Sequence, residues 1–478
     1  MSLSQLEQAV YRKCKECNKT RRIFDVEYQI CFLCYNLKII LKPEQSGNKV
    51  IDNFIRYTQI NKAITKGKME FVPYDQFKNI EFIAEGGFSK VYKATWVNGP
   101  INNWGEVNQN SWKITRDRNL TVVLKKLNNS KNITSKELNE LQIFYQIYSD
   151  KKIGHGNIAE YFGITQDPIT KDIMIIMTYY SEGDLIGYLN NKFYNINWSE
   201  KLLHLFFIAR GLYDIHKLDI IHRDLHSGNI FFRKGSDGEI SFLGDLGISK
   251  SATESTNDNE NYGIIPYMAP EILQGQKYTK ASDIYSFGMI MWESMTGRRP
   301  FWDQNHDIEL IIDIYDGLRP QIVTNAPDGY IELMKECWHS DPNKRPTAKD
   351  VYYKINKIYD EEKARTNNNP TKIIKSSDIG PVTTNHSGAI YKSRLISGMI
   401  NSAMSIRSSR SVSETDKRKF ANLINDDNDQ SIKTKKLREN EFNDYLTNEI
   451  ELDINVDYNK LHEPQNKGYV TKELEFDI

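Results

Sequence analysis

The sequence has few cysteines and no excess of charge of either sign. Only five of its 478 residues are cysteine, and basic and acidic residues are equally numerous at 63 each. So few cysteines in a chain of this length exclude the disulfide framework that is typical of small secreted domains. The balanced charge gives no overall field that would favour nucleic acid or an anionic membrane as the main partner.

Long apolar segments are also missing. The first residues, MSLSQLEQAVYRK, lack the apolar core and the cleavage site of a secretory signal, and no uninterrupted apolar run reaches the length of a membrane span. We therefore expect a soluble protein with no membrane partner, located in the cytoplasm or, as an alternative, in the nucleus. The basic stretches 417–419 and 433–436 would fit nuclear import, but acidic residues lie close by, so solvated charge is the simpler interpretation.

Composition and periodicity divide the chain into four regions. Residues 1–42 carry four of the cysteines, and residues 43–77 form a polar connector. Residues 78–359 hold all the strong hydrophobic periodicity, whereas residues 360–478 are rich in asparagine, serine, lysine and aspartate. That last composition buries too little apolar surface to offset the conformational entropy of folding, so we expect a low-complexity, disordered tail.

The periodic region changes character near Gly183. Before it, short β-branched or alternating stretches predict strands at 81–84, 90–96, 122–127 and 173–178, with one helix at 135–149. After it, apolar spacings of three and four predict a helix that begins near Ser199, and an almost wholly apolar run predicts a buried helix at 283–295. The predicted fold class is α+β, with a small sheet-rich lobe, a larger helical lobe and a cleft between them.

Two features of the first lobe fit a polyphosphate. The turn at 83–91 reads Ile-Ala-Glu-Gly-Gly-Phe-Ser-Lys-Val, and its glycines let the backbone come close to phosphates, although such turns are just as often plain turns. An otherwise apolar strand carries Lys125, and the next predicted helix carries Glu140. An ion pair between them would hold the lysine against phosphates, with Glu137 as a rival partner.

The most specific motif lies in the second lobe. His-Arg-Asp-Leu-His-Ser-Gly-Asn at 222–229 is followed by Asp-Leu-Gly at 245–247. Phosphoryl transfer needs a carboxylate near the acceptor hydroxyl and oxygen ligands for Mg²⁺; Asp224 fits the first need, and Asn229 and Asp245 fit the second. Each residue alone would be an ordinary loop residue, but their order and spacing together indicate catalysis.

These motifs resemble those of the eukaryotic protein kinases over about 280 residues. The resemblance implies a bilobal fold, ATP and Mg²⁺ as cofactors, protein substrates, and transfer of the γ-phosphoryl group to serine or threonine, with tyrosine left open. It implies Asp224, Lys125, Asn229 and Asp245 as catalytic residues, the last two as magnesium ligands. The nucleotide-contacting positions that it implies are Ile83, Ala84, Gly86, Gly87, Val91, Val123, Lys125, Glu140, Met177, Tyr179, Asp184 and Phe231.

Other residues on family positions have supporting roles. The resemblance implies that Asp283 anchors the catalytic loop from a buried helix and that Arg345 pairs with Glu271, so these three residues should matter for folding more than for chemistry. Asp184 is at least equally well explained as a helix N-cap. The chain most resembles tyrosine-kinase-like serine/threonine kinases that act in signal transduction, particularly an expanded fungal set with a CxxC-bearing N-terminus.

The chain also departs from the family pattern. Ala84 and Ser89 stand where two glycines are usual, His226 replaces a lysine that neutralises the transferring phosphate, and Ile264 replaces a threonine. These changes support an alternative function, that of a pseudokinase that binds nucleotide or partners as a scaffold. Phosphorylation of a small molecule is disfavoured because the Ala-Pro-Glu motif at 269–271 resembles a platform for a protein acceptor.

The predicted activation segment, residues 245–271, is rich in hydroxyl groups. A phosphate on this segment would pair with Arg223 and order it, although a flexible loop can simply be rich in serine and threonine. The candidate sites are Ser249, Ser251, Thr253, Ser255, Thr256 and Tyr262.

Four cysteines near the N-terminus form two CxxC pairs. Cys14 and Cys17 are separated by thirteen residues from Cys31 and Cys34, an arrangement that predicts two knuckles holding one structural Zn²⁺ in a zinc-ribbon-like module. Metal binding would supply most of the folding energy of so small a segment. The alternative is a helix at 30–41 whose buried thiols merely pack. The sequence does not identify a docking partner for this module or for the tail.

Overall fold

The structure is a computed structural model that describes most of residues 11–409. Residues 1–10 and 410–478 are not described, nor are the internal positions 26, 42, 61–66, 87–88, 103, 105–113, 132, 134–137, 151–152, 154–155, 237, 248–249, 252–260 and 366–368. Within the described part of the chain, no helix combines the length and the apolar content that crossing a membrane requires.

The N-terminal cysteines lie in a small module with its own sheet. Three strands pair in the order β1 (Tyr11–Lys13), β2 (Thr20–Asp25) and β3 (Ile30–Cys31), followed by α1 (Phe32–Tyr35) and a π-helical stretch (Asn36–Leu41). Buried residues of the module pack in one cluster with Ile60, Ile101 and Trp104. The helix that the sequence suggested at 30–41 therefore exists from residue 32 onward, and the cysteine module rests on later parts of the chain.

The region predicted as a polar connector is structured in part. It contains α2 (Lys49–Gln59), whose N-cap Asn48 accepts a hydrogen bond from the Val50 amide at 2.9 Å, and β4 (Glu70–Phe71). Gln59 donates through Nε2 to the carbonyl of Met69 at 2.8 Å, which fastens the end of the helix to the segment that enters β4. The described part of the connector thus supplies the helix α2 and the strand β4 to the fold.

A six-stranded sheet forms the small lobe. Its order is β4-β8-β9-β7-β6-β5, in which only the β4–β8 pairing is parallel. Strands alternate their side chains between the two faces, and Val122 and Leu124 accordingly pack in one cluster whereas Val123 packs in the main core. The strands are β5 (Phe77–Glu85), β6 (Ser89–Trp96), β7 (Leu120–Leu127), β8 (Tyr161–Gln166) and β9 (Ile173–Thr178).

The predicted strands of this lobe are confirmed, and the predicted helix is found as α3 (Asn139–Ser149). The predicted start of that helix, at 135, lies outside the described residues. The sequence interpretation missed β8, because its residues include Gly163 and Gln166 and show no clear alternation.

Helices dominate the large lobe. The helix predicted near Ser199 is α5 and begins at Trp198, where Asn197 and Glu200 form a reciprocal capping box. The predicted buried helix is α6, and every residue of it from Ser282 to Thr296 is buried. The helices are α4 (Leu185–Lys192), α5 (Trp198–Lys217), α6 (Lys280–Thr296), α7 (Ile308–Tyr315), α8 (Tyr330–Cys337) and α9 (Ala348–Arg365).

Short strands border the cleft side of this lobe. β11 (Ile230–Gly235) and β12 (Gly238–Leu243) form a hairpin, and β10 (Ile220–Ile221) pairs with β13 (Lys250–Ser251). A further short strand, β14 (Tyr262–Gly263), lies near the end of the predicted activation segment. These strands fix the loops that carry residues 222–229 and 244–247.

The prediction of a disordered tail from residue 360 onward is wrong for its first part. The helix α9 continues to Arg365, and residues 369–409 lie on the large lobe, where they form β15 (Arg394–Leu395) and a helix at 397–409. Ile396, Ile400 and Ala403 are buried in the main core. Their spacings of four and three are helical, a signal that the average composition of the tail concealed. Residues 410–478 lie outside the described part of the chain.

A buried ion pair joins the end of the predicted activation segment to the base of the large lobe. Both Nη atoms of Arg345 contact the carboxylate oxygens of Glu271 at 2.7 Å, and the two side chains are only 0% and 6% exposed. Arg345 also donates to the carbonyls of His339 and Ala281. This pairing agrees with the supporting role that the family resemblance implied.

We expect Arg345→Ala to lower the free energy of unfolding by about 3–5 kcal/mol, because it leaves the Glu271 carboxylate buried without its partner. Chemical unfolding of the full chain would measure the loss. Lys354→Ala is the matched control, since its pair with Glu336 is about half exposed and should change stability by no more than about 1 kcal/mol. Equal losses for the two variants would contradict the assignment.

Candidate active site

Lys125 is the residue through which the two lobes meet. It follows Val123 by two positions in β7 and therefore points to the same face of the sheet, toward α3. Its ammonium lies 2.9 Å from Glu140 Oε2, and 2.7 Å from Asp245 Oδ1 in the second lobe. The predicted Lys125–Glu140 pair is present, whereas the rival Glu137 lies outside the described residues.

Burial and charge oppose each other in this cluster. Burial lowers the pKa of Lys125, but the carboxylates of Asp245 and Glu140 outweigh it, so the pKa of the lysine is raised. Burial raises the pKa of Glu140 above its ordinary value even though Lys125 opposes that shift. For Asp245, which is more exposed, the attraction of Lys125 prevails over burial and lowers the pKa. The lysine is therefore a fixed cation at neutral pH.

A tyrosine that the sequence interpretation missed holds Glu140 in place. Tyr161 lies in β8, and its hydroxyl donates to Glu140 Oε1 at 2.6 Å. Both side chains are buried, with the tyrosine 2% and the glutamate 3% exposed. Because β8 itself was not predicted, no sequence signal pointed to this contact.

The predicted catalytic loop, residues 222–229, is held in place by a single carboxylate on α6. Asp283 Oδ2 accepts from the backbone amide of His222 at 2.8 Å, and Oδ1 accepts from the amide of Arg223 at 2.9 Å. The ring of His216 in α5 contacts the same carboxylate at 2.8 Å. Asp283 thus lies where the resemblance implied, and Arg223 adopts a left-handed backbone (φ 73°) that these contacts support.

Asp224 and Asn229 are linked across the loop. The Asn229 side chain donates through Nδ2 to the backbone carbonyl of Asp224 at 2.9 Å. That bond uses the amide nitrogen, so the amide oxygen is the atom suited to a cation. Asp245 adopts a left-handed backbone (φ 54°) and follows Gly244, where an added Cβ would come within 2.6 Å of the Phe231 ring. Asp245 thus contacts Lys125 of the other lobe, and Asp224 lines a small cavity beside Ile264.

Tyr267 connects the activation segment to the catalytic loop. Its hydroxyl donates to Glu293 Oε2 at 2.7 Å and lies 3.0 Å from Ser227 Oγ. Burial raises the pKa of Glu293 to about 7. This buried network was not predicted, because the three residues are far apart in sequence and only Ser227 lies in a motif that the sequence analysis singled out.

His226 lies beside the predicted base. Its Nε2 is 3.7 Å from Asp224 Oδ2, and its Nδ1 accepts from the Gly228 amide at 3.1 Å. Burial opposes protonation of the ring, but the Asp224 carboxylate outweighs burial and raises the pKa of His226 above its ordinary value. The replacement of the usual lysine by His226 therefore removes less positive charge from this position than an unperturbed imidazole would.

Most of the predicted nucleotide-contacting residues of the small lobe lie on strands of its sheet. Ala84 pairs with Val91 at the end of the β5–β6 hairpin, where the Gly86 amide donates to the Ser89 carbonyl at 2.8 Å. Val123 and Met177 are direct cross-strand partners. Ile83 is about half exposed, whereas Gly87 lies outside the described residues.

Three further predicted positions follow β9. Tyr179 is partly buried beneath the ammonium of Lys93, 5.0 Å from the ring centroid. Asp184 caps α4, since its Oδ1 accepts from the Gly187 amide at 2.8 Å, in agreement with the N-cap interpretation. Phe231 stacks on Tyr180 with ring centroids 5.4 Å apart.

The predicted phosphorylation sites are mostly outside the described residues. Ser249, Thr253, Ser255 and Thr256 fall there, and only the backbone of Ser251 is described. The Arg223 guanidinium lies 4.8 Å from the Tyr278 ring centroid. Ile264 is buried and shares the wall of a small cavity with Asp224.

The four N-terminal cysteines converge. The sulfur atoms of Cys14, Cys17, Cys31 and Cys34 all lie within 4.8 Å of one another, and all four residues are buried. Cys17 and Cys31 are 3.9 Å apart, close to the edge of about 3.8 Å that a tetrahedron with Zn–S bonds of about 2.3 Å has. Four thiolates this close together would repel one another in a buried cluster, so they need a cation beside them. The cluster therefore has the donors and the size for a tetrahedral metal.

Comparisons with known proteins agree with this geometry. The family described as protein tyrosine and serine/threonine kinase matches residues 77–355, more than half of the chain. A putative serine/threonine-protein kinase/receptor of Acanthamoeba polyphaga mimivirus is 31% identical over 266 residues, which cover 55% of this chain and 15% of that protein. A probable serine/threonine-protein kinase of Dictyostelium discoideum is 28% identical over 295 residues, covering 60% and 20% of the respective chains.

Another similar protein of Dictyostelium discoideum is the probable serine/threonine-protein kinase roco5. It is 27% identical over 348 residues, which cover 69% of this chain and 11% of that protein. The chain thus spans a fifth or less of the length of these three relatives. Because the family match contains the cleft lysine, the catalytic loop and the activation segment described above, the chain belongs to the protein tyrosine and serine/threonine kinase family.

Proposed function

We propose that this chain transfers the γ-phosphoryl group of ATP to serine or threonine hydroxyls of proteins. The observation that carries the proposal is the contact of Lys125 with both Glu140 and Asp245, which joins the two lobes in the arrangement that phosphoryl transfer requires. Asp224 lies on the loop anchored by Asp283, beside the end of the activation segment.

Each proposed role follows from the position of the side chain. Lys125 would hold the α- and β-phosphates, and the amide oxygen of Asn229 together with the carboxylate of Asp245 would hold Mg²⁺, which neutralises phosphate charge when bound. Asp224 would orient the acceptor hydroxyl and receive its proton. Ile83, Val91, Val123, Met177, Tyr179 and Phe231 would enclose the base and sugar, with Ala84, Gly86 and Gly87 near the phosphates and Asp184 near the ribose.

Serine and threonine are the proposed acceptors because the similar proteins carry that description. The narrower assignment to the tyrosine-kinase-like group rests on the loop sequence His-Arg-Asp-Leu-His-Ser-Gly-Asn. Ile264 lacks the hydroxyl that the family usually places beside the catalytic aspartate. Phosphoamino-acid analysis of the products would separate serine, threonine and tyrosine.

A second candidate function, a scaffold that binds nucleotide without turnover, is favoured by Ile264 and by the alanine and serine of the phosphate loop. Against the scaffold function, Lys125 contacts both Glu140 and Asp245. The proposed base Asp224 and the proposed metal ligand Asn229 also lie on one loop, joined by a hydrogen bond. His226 does not support it strongly, because Asp224 raises the pKa of this ring and so increases its positive charge.

The N-terminal cysteine cluster is proposed to hold a structural zinc ion. Arg21 connects the cluster to the connector, since Nη2 donates to the Ile60 carbonyl at 2.8 Å while Nη1 lies 3.9 Å from Cys31 Sγ. The metal would therefore stabilise the module against the part of the chain that leads into β4.

We expect Asp224→Asn to lower kcat by about 10² to 10⁴-fold with dephosphorylated casein and Mg-ATP, because the amide cannot accept the hydroxyl proton. Incorporation of radiolabelled phosphate measures the loss. Asp313→Asn, an equal change at an exposed position of α7, is the control and should keep full activity. If Asp224→Asn and the unaltered chain transfer equally little phosphate while both bind nucleotide, the scaffold function is the correct one.

His226 gives a test that depends on pH. Its raised pKa means that the protonated ring, present at low pH, is lost as pH rises through that value. We therefore expect His226→Lys, which keeps its cation, to gain activity relative to the unaltered chain between about pH 6 and about pH 9. His226→Ala should lose roughly 10²-fold in kcat. A constant ratio between the lysine variant and the unaltered chain across this range would show that the charge of His226 is not used.

Metal analysis tests the zinc proposal. We expect the purified full chain to contain about one zinc ion, and Cys31→Ser to lose it, because three thiolates leave the tetrahedron open. Cys337→Ala is the control, since this buried cysteine lies in α8, away from the cluster. Cobalt substitution gives a second measurement through its thiolate absorption. Metal-free protein whose module still resists hydrogen exchange would contradict the proposal.

A further inference from the structure

The tail segment, defined as residues 388–409, extends the activation segment by one strand. Arg394 and Leu395 of β15 pair antiparallel with Gly263 and Tyr262 of β14. Two further bonds continue the contact past the strand: the Ile396 amide donates to the Asn261 carbonyl at 2.9 Å, and the Asn261 amide donates to Ser397 Oγ at 2.8 Å. The chain's own tail thus fills the backbone edge at 261–263.

That edge leads directly to the proposed base. Gly263 and Ile264 share the wall of a small cavity with Asp224, and Met268 packs over Gly263, where an added Cβ would lie 2.9 Å from the Met268 sulfur. An extended polypeptide adds to such an edge through main-chain hydrogen bonds, which do not depend on its sequence. A protein acceptor that brings a hydroxyl to Asp224 would therefore run along the same backbone.

Contacts on both sides of the strand hold the tail segment there. The loop after α6 binds the beginning of the tail segment. The His306 amide donates to the Gly388 carbonyl at 2.9 Å, and His306 Nδ1 lies 2.9 Å from the Ile390 carbonyl. Tyr391 donates to the Pro300 carbonyl at 2.8 Å, and Arg394 Nη2 donates to the His306 carbonyl at 3.0 Å.

The helix at 397–409 anchors the other side. Ile400 is 2% exposed and Ala403 is fully buried, so this helix packs its apolar face on the large lobe. Near its end Arg407 lies 2.8 Å from Asp316 and 4.2 Å from the Tyr315 ring centroid. Leu395 and Ile406 lie in the same segment but are 50% and 37% exposed.

We propose that the tail segment occupies the acceptor-docking edge of its own activation segment and competes there with protein substrates. This rests on the kinase function proposed above. Because it is tethered, the segment competes at an effective concentration on the order of millimolar, so it raises the KM for a protein acceptor without contacting the nucleotide cleft. The substrates of this chain are then those that can displace an internal strand.

The test compares two doubly substituted full chains. Ile396→Asp with Ile400→Asp places two charges in buried positions and should release the segment, whereas Leu395→Asp with Ile406→Asp adds the same charges at exposed positions. We expect the first variant to lower the KM for dephosphorylated casein by about tenfold, since the docked state no longer reduces the competent fraction. Its KM for ATP should stay unchanged, and the second variant should behave like the unaltered chain.

Two binding measurements make the result independent of turnover. Hydrogen exchange over 388–409 should rise in the buried-site variant alone, and a fluorescent synthetic peptide of residues 388–409 should bind that variant and be displaced by casein. The proposal would be overturned if the buried-site variant released its tail segment but kept the same KM for casein. It would also be overturned if casein did not displace the bound peptide. If no variant transfers phosphate at all, the kinase function fails, and displacement of the peptide still decides whether tail and acceptor share the edge.

Discussion

The active site depends on one ammonium group placed between carboxylates from two lobes. A lysine buried on a sheet is costly to charge unless anions compensate it, and here Glu140 and Asp245 supply them at 2.9 and 2.7 Å. Neither carboxylate could approach the lysine unless α3 packed against the sheet and the large lobe presented Asp245 to the same point. The pairing therefore ties the packing of α3 and the relative placement of the lobes to the chemistry of the cleft.

In the large lobe, one buried carboxylate holds the catalytic loop in position. Asp283 receives two backbone amides of the catalytic loop and the ring of His216, so a rigid helix sets the path of a loop that has no regular structure of its own. Tyr267 adds a second attachment, from the activation segment to Ser227. A loop can carry the chemistry because its main support lies on α6, where every residue from Ser282 to Thr296 is buried.

Sequence reasoning predicted the parts of the fold whose periodicity is strong and whose motifs are local. It found β5, β6, β7, β9, α5 and α6, and it paired Lys125 with Glu140, because a two-residue alternation and a helical spacing each determine which way a side chain points. It missed contacts that depend on distant segments meeting, such as Tyr161 on Glu140. The tail was misjudged because three apolar positions, 396, 400 and 403, were averaged into a polar region. The structural role of these positions becomes visible only when the segment packs on the large lobe, where all three side chains are buried.

The connector helix α2 has a consequence for how the cleft can be influenced from outside. Its Tyr57 ring contacts Tyr145 of α3 edge to face, with centroids 5.3 Å apart, and its apolar residues Ile51, Phe54 and Ile55 belong to the same core as α3. α3 carries Glu140, and α2 covers part of its surface. Any displacement of α3 would carry Glu140 with it, and α2 would have to follow or lose these contacts. The position of the glutamate is therefore coupled to the connector that follows the cysteine module.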